Sequence, residues 1–420
     1  MSYSALVCRV HTRPHPNADR LQLGTANGYQ VIVGLDVQDG ELGVFFGPDG
    51  QLSEEMCAAN DLIGYTDPDT HERRGGYFPK NRRVRSQKLR GIPSDGFWTG
   101  LSSFVFTGVR AEDFVEGQTF TELNGIPICN KYITEATRRA QASGQGKQRR
   151  ENAGFPKHID TKQLKHYIDS IPEDSIIYIT EKLHGTSGRY GLVYEETEVP
   201  LKWWEKLARR KSKAVGEYKY MNGTRNVVMA DHTHSGFYGN EEFRFNAVKD
   251  IQLHKGEVLY FELVGYTTTG TPIMSPQNTS NLKKELKGYA NPMVYSYGTE
   301  SPNCDLYVYR ITRADPDGNI TELSWPQVKR RCGELGIKHV PDIARALYTG
   351  KKDKLQDKVS EFTEDLSSTL DSRHIREGVV IRVEAPDGTT DWYKNKSFTF
   401  GVLEGYLKDS DDYVDAEEIA

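Results

Sequence analysis

The residues best suited to do chemistry lie in the run Glu181-Lys182-Leu183-His184-Gly185-Thr186-Ser187-Gly188. A lysine that closes an apolar strand and enters a glycine turn stands at the rim of a cleft. Away from water and beside other cations, such an ammonium loses proton affinity and becomes a nucleophile. Gly185 lets the backbone turn tightly and a ligand approach it. On its own Lys-x-His-Gly is a weak signal, because most lysines are simply solvated. Five further clusters follow in order: Thr224-Arg225-Asn226, Phe261-Glu262-Leu263, Tyr307-Val308-Tyr309-Arg310, Arg376-Glu377-Gly378 and Trp392-Tyr393-Lys394-Asn395-Lys396. Taken singly, Glu262 and Glu377 read as edge-strand carboxylates. Lys394 and Lys396 are two apart, so on a strand they share a face. Any one of these groups has an ordinary structural explanation; the ordered set is harder to explain that way.

The elements that must hold these groups are mostly strands. SIIYITEKLHGTSGRYGLVY reads as strand, glycine turn, strand, and further strands are expected at NVVM, EVLYFELVGY, MVYSYGT, DLYVYRIT, EGVVIRVE and DWYKNKSF. Helices are expected at DTKQLKHYIDSI with Asp160 as N-cap, at the basic stretch LKWWEKLARRKSKAV, at PQVKRRCGEL and within 351–370. Upstream, residues 4–48 alternate short apolar runs with Asn-Gly and Asp-Gly turns, the pattern of β-hairpins. More strands are expected at RRVRSQKL, GFWTGL and SFVFTGV, making residues 1–125 a small all-β barrel. The whole reads as α+β: an N-terminal β-barrel, then a mixed domain with antiparallel sheets. The expected boundaries are 1–135, a polar linker 136–153, a second domain 154–408 and an acidic tail 409–420.

Composition narrows the function class. The 420 residues suggest about two or three domains. A net charge of -5 excludes a uniformly basic nucleic-acid binder, yet 80–90, 138–150 and 202–213 are concentrated basic blocks. Five scattered cysteines without a Cys-x-x-Cys argue against a disulfide scaffold or zinc ribbon and for a reducing compartment. No stretch suits a membrane helix or a signal core, so a cytoplasmic, intracellular protein is expected. A P-loop and His-Glu-x-x-His are missing, and His232 and His234 read as solvated rather than metal-bound.

The ordered clusters resemble motifs I, Ia, III, IIIa, IV and V of the covalent nucleotidyltransferases, the polynucleotide ligases and RNA capping enzymes. Glu-Lys-x-His-Gly-Thr is the RNA ligase form of motif I; DNA ligases and capping enzymes usually carry Lys-x-Asp-Gly. HPNADRLQLGTANGYQVIVG and KLRGIPSDGFW resemble the N-terminal OB-fold domain of the Naegleria and Deinococcus type of RNA ligase, and FPKHIDTKQ resembles its lead-in to motif I. The resemblance implies an ATP-dependent RNA ligase working through lysyl-AMP and adenylated RNA, with Mg²⁺ or Mn²⁺. Its substrate would be RNA with 5′-phosphate and 3′-OH ends, in a nicked duplex or broken tRNA, and its task RNA repair, as a monomer. Lys182 would be the nucleophile, with Lys394, Lys396 and Glu377 catalytic beside it. Glu181, Lys182, Gly185, Arg225, Glu262, Tyr309, Glu377, Lys394 and Lys396 would bind the nucleotide, and Glu262 and Glu377 the metal. His184, Ser187, Arg82, Arg83 and Arg85 would contact RNA. Two departures stand out: Ser187 replaces an Asn of the viral RNA ligases, and motif III reads Tyr-Phe-Glu rather than Tyr-Gly-Glu. The alternatives are a DNA ligase or capping-type enzyme, and a non-catalytic tRNA- or RNA-binding OB protein.

Overall fold

A computed structural model describes residues 3–66, 73–143, 152–199, 213–229, 238–280, 286 and 288–408. Two compact units emerge. The first gathers residues 1–134, 162–170 and 396–413; the second gathers 135–161, 171–395 and 414–420. Among the described residues no helix is long and apolar enough to cross a membrane.

The first unit is built on β1 (Ala5–Pro14), β2 (Leu21–Ala26), β3 (Tyr29–Gly34), β4 (Glu41–Phe46) and β5 (Phe97–Gly100), in the order β5-β4-β1-β2-β3. A short β6 (Thr119–Phe120) adds to β1. Strand alternation explains the apolar run at the start of β1. Ala5 and Val7 pack with Val44, Phe46 and Phe104, while Leu6, Cys8 and Val10 pack with Val31, Phe45 and Trp98. Both faces of β1 are therefore covered. The sheet curls as a half-barrel with β3 and β5 at its ends; the ladder between those ends that a closed OB barrel requires is not among the described pairings. SFVFTGV is not a strand but a 3₁₀-helix, Leu101–Thr107: Phe104 and Thr107, three apart, point inward and Val105 outward.

In the second unit, β7 (Ile176–Lys182), β8 (Thr186–Val199), β9 (Lys213–Thr224), β10 (Val228–Met229), β11 (Glu257–Gly265), β12 (Cys304–Ala314), β13 (Asp342–Leu347), β14 (Gly378–Glu384) and β15 (Thr390–Lys396) form two sheets. One runs β15-β14-β7-β13 and the other β10-β9-β8-β11-β12. The helix α1 (Trp325–Leu335) starts with a Ser324/Gln327 capping box and stops at left-handed Gly336.

Several expected elements differ. DTKQLKHYIDSI is helical only over Leu164–Tyr167, followed by a 3₁₀ turn Ile168–Ser170. The N-cap position there is Gln163, and Asp160 pairs with Arg225. MVYSYGT is a loop, because its tyrosines are turned into side-chain packing rather than a ladder. The proposed linker begins with a helix, Glu135–Ser143. The expected basic helix at LKWWEKLARRKSKAV lies outside the described residues up to 212, and Lys213 already opens β9. His232, His234 and the tail 409–420 are likewise outside them.

Candidate active site

Strand register brings the chemistry together. Lys182, the last residue of β7, is opposite Gly378, the first of β14. Glu377, just before β14, thereby meets the lysine: Nζ is 2.8 Å from Oε1. The carboxylate is fully buried and the lysine 17% exposed, so the ion pair is largely withdrawn from bulk water. His184 Nδ1 lies 3.7 Å from the other carboxylate oxygen. The chain then turns at Gly185, where a Cβ would stand 2.3 Å from the Leu263 carbonyl oxygen and 3.0 Å from Glu262 Cγ. Only glycine permits that approach. It sets β8 against β11, opposing Ser187 to Glu262, and the Ser187 hydroxyl donates to Glu262 Oε2 at 3.1 Å. Register carries the row onward from Glu262 to Tyr307.

Buried polar groups hold this turn. Arg244 donates to the Ser187 carbonyl (3.0 Å) and to Thr186 Oγ1 (2.6 Å), and is itself held by Glu241 at 2.6 Å. Both partners are 2% exposed. Nothing in FRFN marked Arg244 as part of the site, since its role rests on a turn distant in the chain. Glu181 is also buried. Its Oε2 accepts the Thr369 N–H at 2.9 Å and the Thr369 hydroxyl, and Arg376 Nε lies 3.8 Å away. Its Oε1 has no hydrogen-bond partner among the described residues, which leaves an acceptor for a ligand.

The lead-in segment lies over the second sheet. Arg189 donates to the Phe155 carbonyl and Tyr260 to that of Pro156, each at 3.0 Å. His158 shares a hydrogen bond with Tyr309 Oη at 2.8 Å. Burial, then the charges of Arg225, Arg189 and Arg310, holds the His158 pKa down to about 3. Tyr309 is half-buried against Phe155, Val258 and Tyr260. Tyr307, named in the sequence only as part of its cluster, opposes Glu262 directly; only pairing, not spacing, could have shown that contact.

The remaining candidates divide. Lys394 is half-buried on β15. Lys396 clusters with the first unit, where its ammonium is 3.1 Å from Glu404. His184 is turned inward, 7% exposed with its ring edge-on to Tyr295, a poor position from which to meet RNA. Arg83 is largely withdrawn from solvent. Its guanidinium is 2% exposed, donates to the Gly405 carbonyl (2.9 Å) and Asp49 (3.2 Å), and lies over Tyr132. Arg82 is engaged by the Leu52 carbonyl and Glu54. Phe78 and Trp98 fill the core. Arg85 is half-buried and Lys88 exposed.

Among the described residues no three His, Cys, Asp or Glu side chains make a metal cage. Glu262 and Glu377 instead suit a hydrated hard cation held by one or two carboxylates and completed by substrate phosphates.

Comparison with known proteins gives this geometry its context. The family model described as RNA ligase matches residues 175–396, more than half of the chain and the whole span from Lys182 to Lys396. A search among curated proteins found no match. Among solved structures, a Naegleria gruberi RNA ligase mutant without ligand is similar at a TM-score of 0.59 and 17% identity, over 97% of this chain and 99% of that one. Mutants of the same enzyme with ATP and Mn (TM-score 0.59, 17% identity) and with AMP and Mn (TM-score 0.59, 17% identity) match over the same shares of both chains. The enzyme with PPi matches at 0.56 and 17% identity, again over those shares. With the family model spanning every cluster from the lysine turn to the paired lysines, the chain belongs to the RNA ligase family and is an RNA-joining enzyme.

Proposed function

We propose that this enzyme joins RNA ends through three nucleotidyl transfers with Lys182 as the covalent carrier. In the first, the Lys182 amine attacks the α-phosphorus of ATP, an N–P bond forms, the bond to pyrophosphate breaks, and the amine proton is lost. AMP then passes to a 5′-phosphate, and a 3′-OH displaces it. The observation that carries this reading is the Lys182–Glu377 pair, a lysine at the end of its strand against a fully buried carboxylate. Glu377 orients the lysine, and attack requires that the amine give up both its proton and this partner. A divalent cation held by Glu377 and Glu262 would supply positive charge for the phosphates as negative charge develops on them. Lys394 adds a fixed positive charge from β15. Glu181, with a buried acceptor, suits the adenine amino group and so ATP over GTP. The ligands of the Naegleria structures, ATP, AMP and PPi, are the reactant and product fragments of such a first step.

The first unit is read as an OB-type module that contacts RNA. Its support is a cleft of about 670 Å³ lined by Tyr77, Lys80, Arg83, Arg85 and Gln87 among others. Repair of 3′-OH and 5′-phosphate breaks is the task that fits the chemistry. The test is labelling with α-labelled ATP and GTP, then chase with broken RNA. A covalent adenylate that is discharged as RNA is sealed supports the reading. A guanylate, no adduct, or full activity in EDTA would overturn it.

A further inference from the structure

Where the β7–β14 ladder ends, the backbone beyond Lys182 has lost its strand partner. A buried N–H there must find another acceptor. The His184 N–H finds one in the side chain of Tyr297, at 2.6 Å to Oη. Tyr297 comes from the 295–298 loop, far from the turn in sequence, and is 3% exposed. The same loop is tied to the approach to Glu377. Ser296 Oγ and the Gly298 N–H both donate to Asp371 Oδ2 at 3.2 Å, and Arg373 clasps Asp371 while donating to Ser296 Oγ. The His374 ring packs against Tyr295 and Tyr297, with centroids 4.9 and 4.5 Å away. The Tyr295 ring also meets His184 at 4.8 Å.

Tyr297 itself has φ of +53°, a left-handed backbone that bulky residues rarely adopt. Such a conformation persists only where the surroundings impose it, and it is found most often where function requires a fixed geometry. Burial keeps its phenol pKa well above the ordinary value, so the group remains neutral.

We propose that Tyr297 is a positioning residue for lysine adenylation. It struts the turn after the nucleophile against the segment that delivers Glu377, and so sets the distance between Lys182 and that carboxylate. The inference rests on Lys182 being the nucleophile and adds a residue outside the lysine, carboxylate and nucleotide clusters.

The test is Tyr297→Phe, which keeps the ring against His374 and removes only the acceptor. In single-turnover labelling with ATP, the maximal adenylation rate should fall about 5- to 20-fold. The ATP concentration for half-maximal rate should stay within about two-fold. Sealing of pre-adenylated RNA should also stay within about two-fold, since that step does not use the lysine amine. Tyr297→Leu, which removes the ring as well, should slow adenylation further. A Phe variant as fast as wild type would overturn the proposal. So would an equal fall in both steps with a lowered Tm, which would make Tyr297 merely structural. Absence of labelling in the wild type, or labelling of Lys182→Ala, would instead overturn the nucleophile assignment and this inference with it.

Discussion

The two units use positive charge in opposite ways. In the first, charge is dense along the chain, with six basic groups in residues 80–90. Yet Arg82 and Arg83 are turned onto Leu52, Glu54, Asp49 and Gly405, where they staple loops together. In the second unit the charges that matter come from segments far apart in sequence, and the fold gathers them: Lys182 on Glu377, His184 beside it, Arg225 on Asp160. Local charge density thus reports mainly on local structure. Chemistry shows itself where the fold has brought together charges from distant segments at the cost of burying them.

The largest test of that contrast is Lys182→Ala. Covalent labelling by ATP should vanish, while sealing of pre-adenylated RNA survives at least weakly. Labelling that persists would move the nucleophile elsewhere. Next comes Glu377→Ala, which leaves Lys182 without its buried partner and removes a cation ligand. Adenylation should slow by ~10²-fold, about 3 kcal/mol of transition-state stabilisation, in single-turnover labelling. An Arg82→Ala control, on the dense stretch, should leave that rate within about two-fold. If the control falls as far as Glu377→Ala, the first unit takes part in the chemistry and the contrast fails.

How far the site was legible follows from the same point. Residue types and order were readable, because strand–turn–strand around Lys182 and the apolar strands before Glu262 and after Glu377 leave clear patterns. Pairing was not. Nothing in the sequence says that Lys182 faces Gly378, or that Tyr307 rather than its neighbour opposes Glu262. Arg244 and Tyr297 act through contacts with a distant turn, so no local pattern identified them. SFVFTGV misled because its inward residues repeat every three positions while its composition is that of a strand. MVYSYGT misled in a similar way: its aromatics serve a loop that clasps the active-site turn.

Stability measurements sharpen the contrast further. Arg83→Ala removes a buried guanidinium from Asp49, Gly405 and Tyr132. Asp49 is partly exposed, so its loss of a partner is softened by water. The expected cost is about 2–3 kcal/mol, read as a lower denaturation midpoint of the first unit. An unchanged midpoint would return Arg83 to the solvent-facing class.

Acid pH probes both units through one physical effect. His158 in the second unit is held down to about 3, and His166 in the first to about 4 by burial and then Lys165. Both lie below the ordinary 6.5, so between these values the unfolded chain binds more protons than the folded one. Stability therefore rises with pH over that window and is lost as pH falls through it. By pH 4.5, His158 should account for about 2 kcal/mol of that loss. His158→Gln should flatten the fall between pH 6.5 and 4.5 in thermal unfolding. A slope identical to wild type would show that this histidine titrates normally.

The smallest expected effect is the salt dependence of RNA binding, and it separates the two kinds of arginine within the first unit itself. Arg85 and Lys88 are more exposed than Arg83; Arg83 and Arg85 both line the cleft with Lys80, but the Arg83 guanidinium is 2% exposed and held by Asp49 and Gly405. A cation that neutralises a phosphate releases counterions, so each such contact adds roughly 0.7 to the slope of log affinity against log salt for single-stranded RNA. Arg85→Ala with Lys88→Ala should lower that slope by up to about 1.4 and weaken binding only a few-fold at moderate salt. Arg83→Ala, measured where the variant is still folded, should leave the slope unchanged, because a guanidinium committed to Asp49 and Gly405 has no phosphate to neutralise. Equal flattening by Arg83→Ala and by the Arg85/Lys88 pair would mean that the buried staple opens to meet RNA. The line drawn between structural and substrate-facing charge in this unit would then have to be abandoned.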